Sequence, residues 1–222
     1  IHGVTYSSHE FDIDYEDYSL VRFLARSGYA VWRLDITGFG QSGEVENGFI
    51  PDSDYAAEDI CAAVEKICEI TEQEKIDLIL KAAQLAPTAV NYQPQMIYVL
   101  KSDEALAKIN RLCRCIYGAP LVFLICSDER CTWKSQTEPG YSVGEMDCSI
   151  VCTHMMLEAW EQGLGSVWVR LFDSRQVAAT FDLPEYIKPI CLLPVGYAAA
   201  DSVPYAPWHD VYRPIEDFTK EL

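Results

Sequence analysis

The sequence predicts a globular protein of mixed helix and strand, and three observations carry that expectation. Half of the 222 residues are hydrophobic and 12% are aromatic, which is enough apolar material for a packed core. Stretches with apolar residues at helical spacing alternate with short continuous apolar runs. No apolar run approaches the roughly 20 residues that a bilayer-spanning helix needs.

In the first third, Tyr15–Ser27 carries Tyr18, Val21, Phe23, Leu24 and Ala25 and runs into Gly28, the pattern of an amphipathic helix with a glycine stop. Ala30–Leu34 reads as a strand and the glycine-rich Asp35–Gly43 as a loop. Ser53–Glu69 reads as a helix capped by Ser53 or Asp54, with Ala57, Ile60, Cys61, Val64 and Ile67 on one face. Glu72–Leu85 is a further helix, which Pro87 stops, and 87–94 is a loop rich in Thr, Asn and Gln. Then follow a strand at Met96–Leu100, a helix at Asp103–Cys113 and a buried strand at Leu121–Cys126. After a polar stretch comes a long helix, Glu145–Gln162, ended by Gly163. A short extended segment at Val167–Val169, a short helix at Ser174–Phe181 and an apolar strand at Ile190–Val195 complete the reading. Trp160 and Trp168 are expected in the core.

Charge is uneven. The chain has 17 Lys+Arg against 34 Asp+Glu, a formal net charge of −17. Residues 1–70 hold 14 acidic and 4 basic side chains, and 71–222 hold 20 and 13, so the character changes near residue 70. A surface this acidic repels phosphate backbones and anionic lipid, so neither nucleic acid nor a membrane is expected as a partner. Nine cysteines and no basic-then-apolar leader pattern fit reduced thiols in a cytoplasmic setting better than a disulfide framework. Cys148, Cys152 and His154 lie close on one helix, but no second pair at zinc-ligand spacing accompanies them. No metal is expected, and small buried hydrophobes are the better account of these cysteines.

The front of the chain is similar to an α/β-hydrolase. His2-Gly3, then Gly28-Tyr29-Ala30-Val31-Trp32-Arg33-Leu34-Asp35, then Gly38-Phe39-Gly40-Gln41-Ser42-Gly43 follow that family's order and spacing over residues 1–70. Its chemistry needs a nucleophile elbow, an acid and a histidine further on. Lys75–Leu80 begins like the strand that feeds the elbow and then runs into Lys81-Ala82-Ala83-Gln84. A Gly-x-Ser-x-Gly occurs at 140–144, with Asp182 or Asp201 and His209 after it. A serine hydrolase using Ser142 is therefore one reading, although the preceding residues 132–139 are polar and end in proline, unlike a strand.

From about Thr71 the chain resembles a nitroreductase-family flavoprotein. Ala86-Pro87-Thr88-Ala89-Val90-Asn91-Tyr92-Gln93-Pro94 is similar to the family's Ala-Pro-Ser-x-x-Asn-x-Gln-Pro loop. Gly118-Ala119-Pro120, Asp147-x-Ser149, Gly163-Leu164-Gly165, Leu183-Pro184-Glu185, Leu193-Pro194-Val195-Gly196 and Arg213-Pro214 follow in order. The resemblance implies an α+β fold, with a mixed sheet flanked by helices. It implies FMN as cofactor, NAD(P)H as electron donor, a homodimer, and ping-pong hydride transfer to a small-molecule acceptor such as a nitroaromatic or quinone. Pro87, Thr88, Ala89, Asn91 and Gln93 would face the partner's flavin, Gly165, Trp168, Val169 and Arg170 would pass along the ring, and Arg213 would approach the phosphate. No side chain is expected to act as catalytic acid or base, because the flavin carries the redox chemistry. The same residues have plainer uses: Thr88, Asn91 and Gln93 in capping and turn formation, Gly163 and Gly165 in a packed turn, Arg213 as a solvated arginine.

The family also holds the flavin phosphate with an Arg-Ser-x-Arg run on its first helix. The corresponding window here is Tyr55-Ala56-Ala57-Glu58-Asp59-Ile60, without arginine. Carboxylates repel a phosphate that needs guanidinium donors. The expected organisation is thus a hydrolase-like fragment, 1–70, lacking its elbow, joined to a nitroreductase-like domain, 71–222, lacking its usual first helix. A catalytically incomplete fusion with weak or no flavin binding stands as the competing expectation.

Overall fold

A computed structural model describes residues 12, 19–35, 37, 41–42, 53–199 and 211–221, with side chains of 53–56 left aside. The chain divides into two compact units, Ile1–Glu74 and Lys75–Leu222, and each is described by itself.

In the first unit, helix α1 spans Leu20–Arg26. Ser19 caps it, its hydroxyl accepting from Arg22 N at 3.0 Å while donating to Asp12 at 2.6 Å. Gly28, at φ +87°, closes the helix in the left-handed conformation that glycine adopts without cost. Residues 13–18 of the expected longer helix lie outside the described residues, as do His2 and Gly3. Ala30–Leu34 is not a strand. Extended backbone becomes a strand only when a neighbour satisfies its N–H and C=O groups, and no described segment pairs with it. Asp35 accepts from Gln41 N at 3.0 Å, and Asp59 takes both the amide and the hydroxyl of Thr37.

The two helices expected at 53–69 and 72–85 are one, α2, Ser53–Leu85. No glycine or proline occurs in that span, and Glu72 and Glu74 are good helix formers, so nothing breaks it. The boundary between the units falls inside α2.

The second unit is α+β. Strands β1 (Gln95–Leu100), β2 (Leu121–Asp128), β3 (Gly165–Ser166) and β4 (Ile187–Gly196) form one sheet in the order β1-β2-β4-β3. The expectation was of a mixed sheet; all three described pairings are antiparallel. Helices α3 (Asp103–Leu112), α4 (Gly144–Glu161) and α5 (Ser174–Thr180) complete the unit. The central strand β2 is almost wholly buried and reads as an unbroken apolar run for that reason. Phe123 and Ile125 face Ile79 and Ala83 of α2 and Val151, Cys152 and Met155 of α4. Val122 and Leu124 face Ile109, Ile116 and Val177 on the other side. The sheet is therefore a middle layer between helices, with alternate residues serving the two cores. No described helix is long and apolar enough to cross a membrane.

Two expectations of burial fail. Trp160 is 78% exposed and Trp168 37%. Helix α4 is apolar on two faces, and only the face carrying Cys148, Val151, Cys152, Met155 and Ala159 meets its own core. Met146, Leu157 and Trp160 project from the opposite face, so apolarity alone did not locate the core side.

Candidate functional site

The loop after α2 is tightly specified. Thr88 is extended, Ala89–Asn91 forms one 3-10 turn, and Asn91 N and Tyr92 N donate to Thr88 O and Ala89 O at 3.0 and 3.1 Å. The Thr88 hydroxyl accepts from Gln93 N at 3.1 Å, and the Gln93 side-chain amide donates to Asn91 Oδ1 at 3.2 Å. Val90, Asn91 and Gln93 have φ of 45°, 57° and 51°, a region costing L-residues about 1 kcal/mol or more each. Asn tolerates it; a β-branched valine does not do so unaided. The loop is tied at its end by Asp128 N donating to Pro94 O at 2.7 Å, and in its middle by Ala89 N donating to Asp147 Oδ1 at 3.0 Å. Pro87, Asn91 and Gln93 are exposed, Thr88 and Ala89 half-buried.

Asp147 lies in the first turn of α4 and is buried; its second oxygen, Oδ2, has no hydrogen-bond partner among the described residues. Gln95 Oε1, Ser127 Oγ and Thr132 Oγ1 are likewise buried and unpartnered. Asp147-x-Ser149 belongs to the motif set that the sequence offers, but a carboxylate in a first helical turn is so ordinary, given the helix dipole, that nothing in the sequence tied Asp147 to the 87–94 loop.

The second expected group lies elsewhere. Gly165 pairs with Gly196, and Val169 bridges Leu192. Val169 is buried, and both its backbone groups are occupied by Leu192, at 2.9 and 2.8 Å; it has no free N–H for a ligand. Trp168 is partly open. Arg170 donates to Phe172 O at 3.2 Å and Ser174 Oγ at 3.0 Å, and Arg213 to Asp217 O at 2.8 Å. The 165–170 segment borders β4, whereas the 87–94 loop leads into β1 at the opposite edge of the sheet. Three strand spacings, about 14 Å, separate the two edges, so one chain does not bring the two groups together.

Residues 69–117 and 114–197 match the family model of the nitroreductase family, together more than half of the chain. The chain belongs to the nitroreductase family. A nitroreductase family protein of Clostridium difficile 630, of solved structure, is 34% identical, with a TM-score of 0.60 over 66% of this chain and 84% of that one. A Methanothermobacter thermautotrophicus protein carrying the provisional name NADH dehydrogenase/NAD(P)H nitroreductase is 31% identical over 134 residues, 57% of this chain and 67% of that relative. The FMN reductase [NAD(P)H] of Bacillus subtilis is 26% identical over 148 residues, 59% of each chain. Residues 1–79 match the alpha/beta hydrolase fold model.

Within this nitroreductase-family chain, Ser142 has no nucleophile elbow around it. It bridges Lys134 in a small hairpin, Ser135 N and Val143 N donating to Tyr141 O and Trp133 O, and its hydroxyl accepts weakly from Gly144 N at 3.4 Å. No β-strand feeds the turn, and Asp201 and His209 lie outside the described residues. Cys148 and Cys152 are buried, the Cys148 thiol donating to Cys126 O at 3.3 Å. Burial pushes the Cys148 thiol up and that of Cys126 to about 12, and a neutral thiol is a poor metal ligand. Beside the loop, the Asp128 carboxylate accepts from Arg130 at 2.6–3.3 Å, and the Arg130 guanidinium stacks 3.6 Å over Tyr186. That hydrogen bond holds Asp128 below the usual carboxylate range.

Proposed function

We propose that the chain is an FMN-dependent NAD(P)H oxidoreductase working as a homodimer. The observation that carries this reading is the separation of the two candidate groups on opposite edges of one sheet, each built from residues suited to one flavin. A second copy supplies the missing half, with the 87–94 loop of one protomer beside the 165–170 segment of its partner. The apolar outer face of α4, with Met146, Leu157 and Trp160 exposed, is the kind of surface that two copies bury together.

The donor set fits the ring. Thr88, Asn91 and Gln93 offer a hydroxyl and two amides, neutral groups that can both donate and accept at the pyrimidine edge, on a loop whose backbone is already fixed. The phosphate is served less well. Arg111, Arg130, Arg170 and Arg213 all donate within their own stretches of chain, and Asp59 is engaged by Thr37. Arg213, exposed and held among the described residues only by a backbone carbonyl four residues on, is the phosphate candidate that the family resemblance supplies. When bound, FMN supplies the redox chemistry, accepting hydride from NAD(P)H and passing it on to a nitroaromatic, quinone or similar acceptor in alternating half-reactions. The chain's part is to hold the ring: Pro87, Thr88, Ala89, Asn91 and Gln93 from one side, Gly165, Trp168 and Arg170 from the other, with Trp168 shielding a face. Residues 1–70 stand apart in this reading as a hydrolase-like fragment, and 71–222 as the flavin domain.

The test is the visible absorption of the purified protein before and after adding FMN, followed by NAD(P)H oxidation with a nitroaromatic acceptor. A bound flavin spectrum and acceptor-dependent turnover are expected. A colourless protein that takes up no FMN overturns the reading in favour of an incomplete fusion. Labelling of Ser142 by a fluorophosphonate would favour the hydrolase instead.

A further inference from the structure

Three of the loop residues that would meet the flavin, or stand beside those that do, hold left-handed backbone without being glycine: Val90, Asn91 and Gln93. Such a conformation persists only where the surroundings over-determine it. The loop's internal bonds, Asn91 N to Thr88 O, Tyr92 N to Ala89 O and Gln93 N to Thr88 Oγ1, shape it without fixing it to the rest of the domain. Its last residue is fixed through Asp128 N to Pro94 O. Between the helix end and Pro94, the bond from Ala89 N to Asp147 Oδ1, at 3.0 Å, reaches from the loop to α4 across 58 positions of sequence.

Asp147 is 3% exposed, and its Oδ2 has no partner among the described residues. A buried carboxyl oxygen is disfavoured in such a place unless a hydrogen bond compensates it, so losing the Ala89 amide would leave both carboxyl oxygens without a described partner. Gly144, one turn earlier on α4, lies so close to Ser127 and Thr132 that no Cβ would fit between them. The carboxyl group therefore projects from a helix start packed directly on the end of β2.

We infer that Asp147 is the positioning residue of the flavin loop: from the first turn of α4 it holds the Ala89 amide and thereby sets Thr88, Asn91 and Gln93 at the height where they meet the ring. This rests on the flavin reading of the loop. Asp147 touches no reacting atom; it acts through Ala89.

The experiment has two arms on the full chain. Hydrogen exchange without added flavin is read on peptides within 86–94, with β2 as an internal control. FMN affinity is read by quenching of flavin fluorescence. Asp147→Ala should speed exchange of the Ala89 amide about tenfold with β2 unchanged, and weaken FMN about tenfold. Asp147→Asn keeps a carbonyl acceptor and should restore both within about threefold of wild type. Ala89→Pro removes the donor while leaving Asp147 in place. Proline suits a first helical position after an extended residue, so this variant tests the bond even where Asp147→Ala does not fold, and should weaken FMN similarly. Loop exchange unchanged in Asp147→Ala, full FMN affinity in Ala89→Pro, or Asp147→Asn as damaging as alanine in both arms overturns the inference alone. A wild-type protein that binds no FMN overturns the flavin reading and this inference with it.

Discussion

Gly144 meets Ser127 more closely than any side chain at 144 would permit. A Cβ built there would lie 2.5 Å from Ser127 Oγ and 2.6 Å from Thr132 Cγ2. The glycine therefore lets α4 start against the end of β2, the place from which Asp147 reaches the loop. Gly144→Ala should destabilise the domain by about 1–3 kcal/mol through overpacking, although alanine is the better helix former. Urea denaturation followed by circular dichroism checks the sign.

Arg213 is the phosphate candidate that the family resemblance supplies, and a single hydrogen-bonded guanidinium contributes on the order of 1.5–3 kcal/mol. FMN should therefore bind about tenfold more tightly than riboflavin, and Arg213→Ala should remove that preference without weakening riboflavin. Parallel fluorescence titrations measure both ratios. A preference that survives in Arg213→Ala would place the phosphate elsewhere.

The outer face of α4 should be the dimer contact. Leu157→Glu and Trp160→Glu put charges into a surface that two copies would desolvate. Each should shift sedimentation toward the monomer and release FMN with it, while far-ultraviolet circular dichroism stays unchanged. A monomeric variant that keeps its flavin would count against a site shared between protomers.

The Asp128–Arg130 pair gives the domain an acid limb. Because the Arg130 hydrogen bond lowers the folded-state pKa of Asp128 below its unfolded value, its stabilisation is complete above about pH 4. It is lost as pH falls through the folded value. Asp128→Asn should thus be less stable than wild type at pH 7 and converge with it in acid. The Arg130 side chain is 61% exposed, so the difference should be small and should shrink with added salt.

Cysteine reactivity should divide by burial. Cys61, Cys68 and Cys131 are exposed, whereas Cys113, Cys126, Cys148, Cys152 and Cys191 are buried. Iodoacetamide at neutral pH should alkylate Cys61 and Cys68 first, Cys131 more slowly because burial and the Asp128 carboxylate push its thiol up, and the last five only after denaturation, as mass spectrometry of peptides would show. Early labelling of Cys148 or Cys152 would mean that α4 leaves the sheet.

Much of this molecule was legible from local pattern. Pro87 ends α2, the helix read from Asp103 starts there as α3, and the apolar runs at 121–126 and 190–195 are the two central strands, because these signals act over a few residues. The merging of 53–69 with 72–85 was missed because the absence of a breaker is a weak signal. The extended pattern at 30–34 does not become a strand, because strand formation depends on a partner elsewhere in the chain. Trp160 and Trp168 differ from the expectation of burial because composition reports that a side chain is apolar, not which face of the element finds a neighbour.

The sequence by itself determined the family resemblance, the neutral donors of the 87–94 loop and the acidic window in place of a phosphate clamp, since these follow from residue type and order. Only the tertiary structure decided that Asp147 binds Ala89, that Val169 has no backbone group to offer, and that the two candidate groups lie on opposite edges of the sheet. Those facts depend on contacts between residues far apart in the chain, and on which hydrogen-bonding groups the fold has already used.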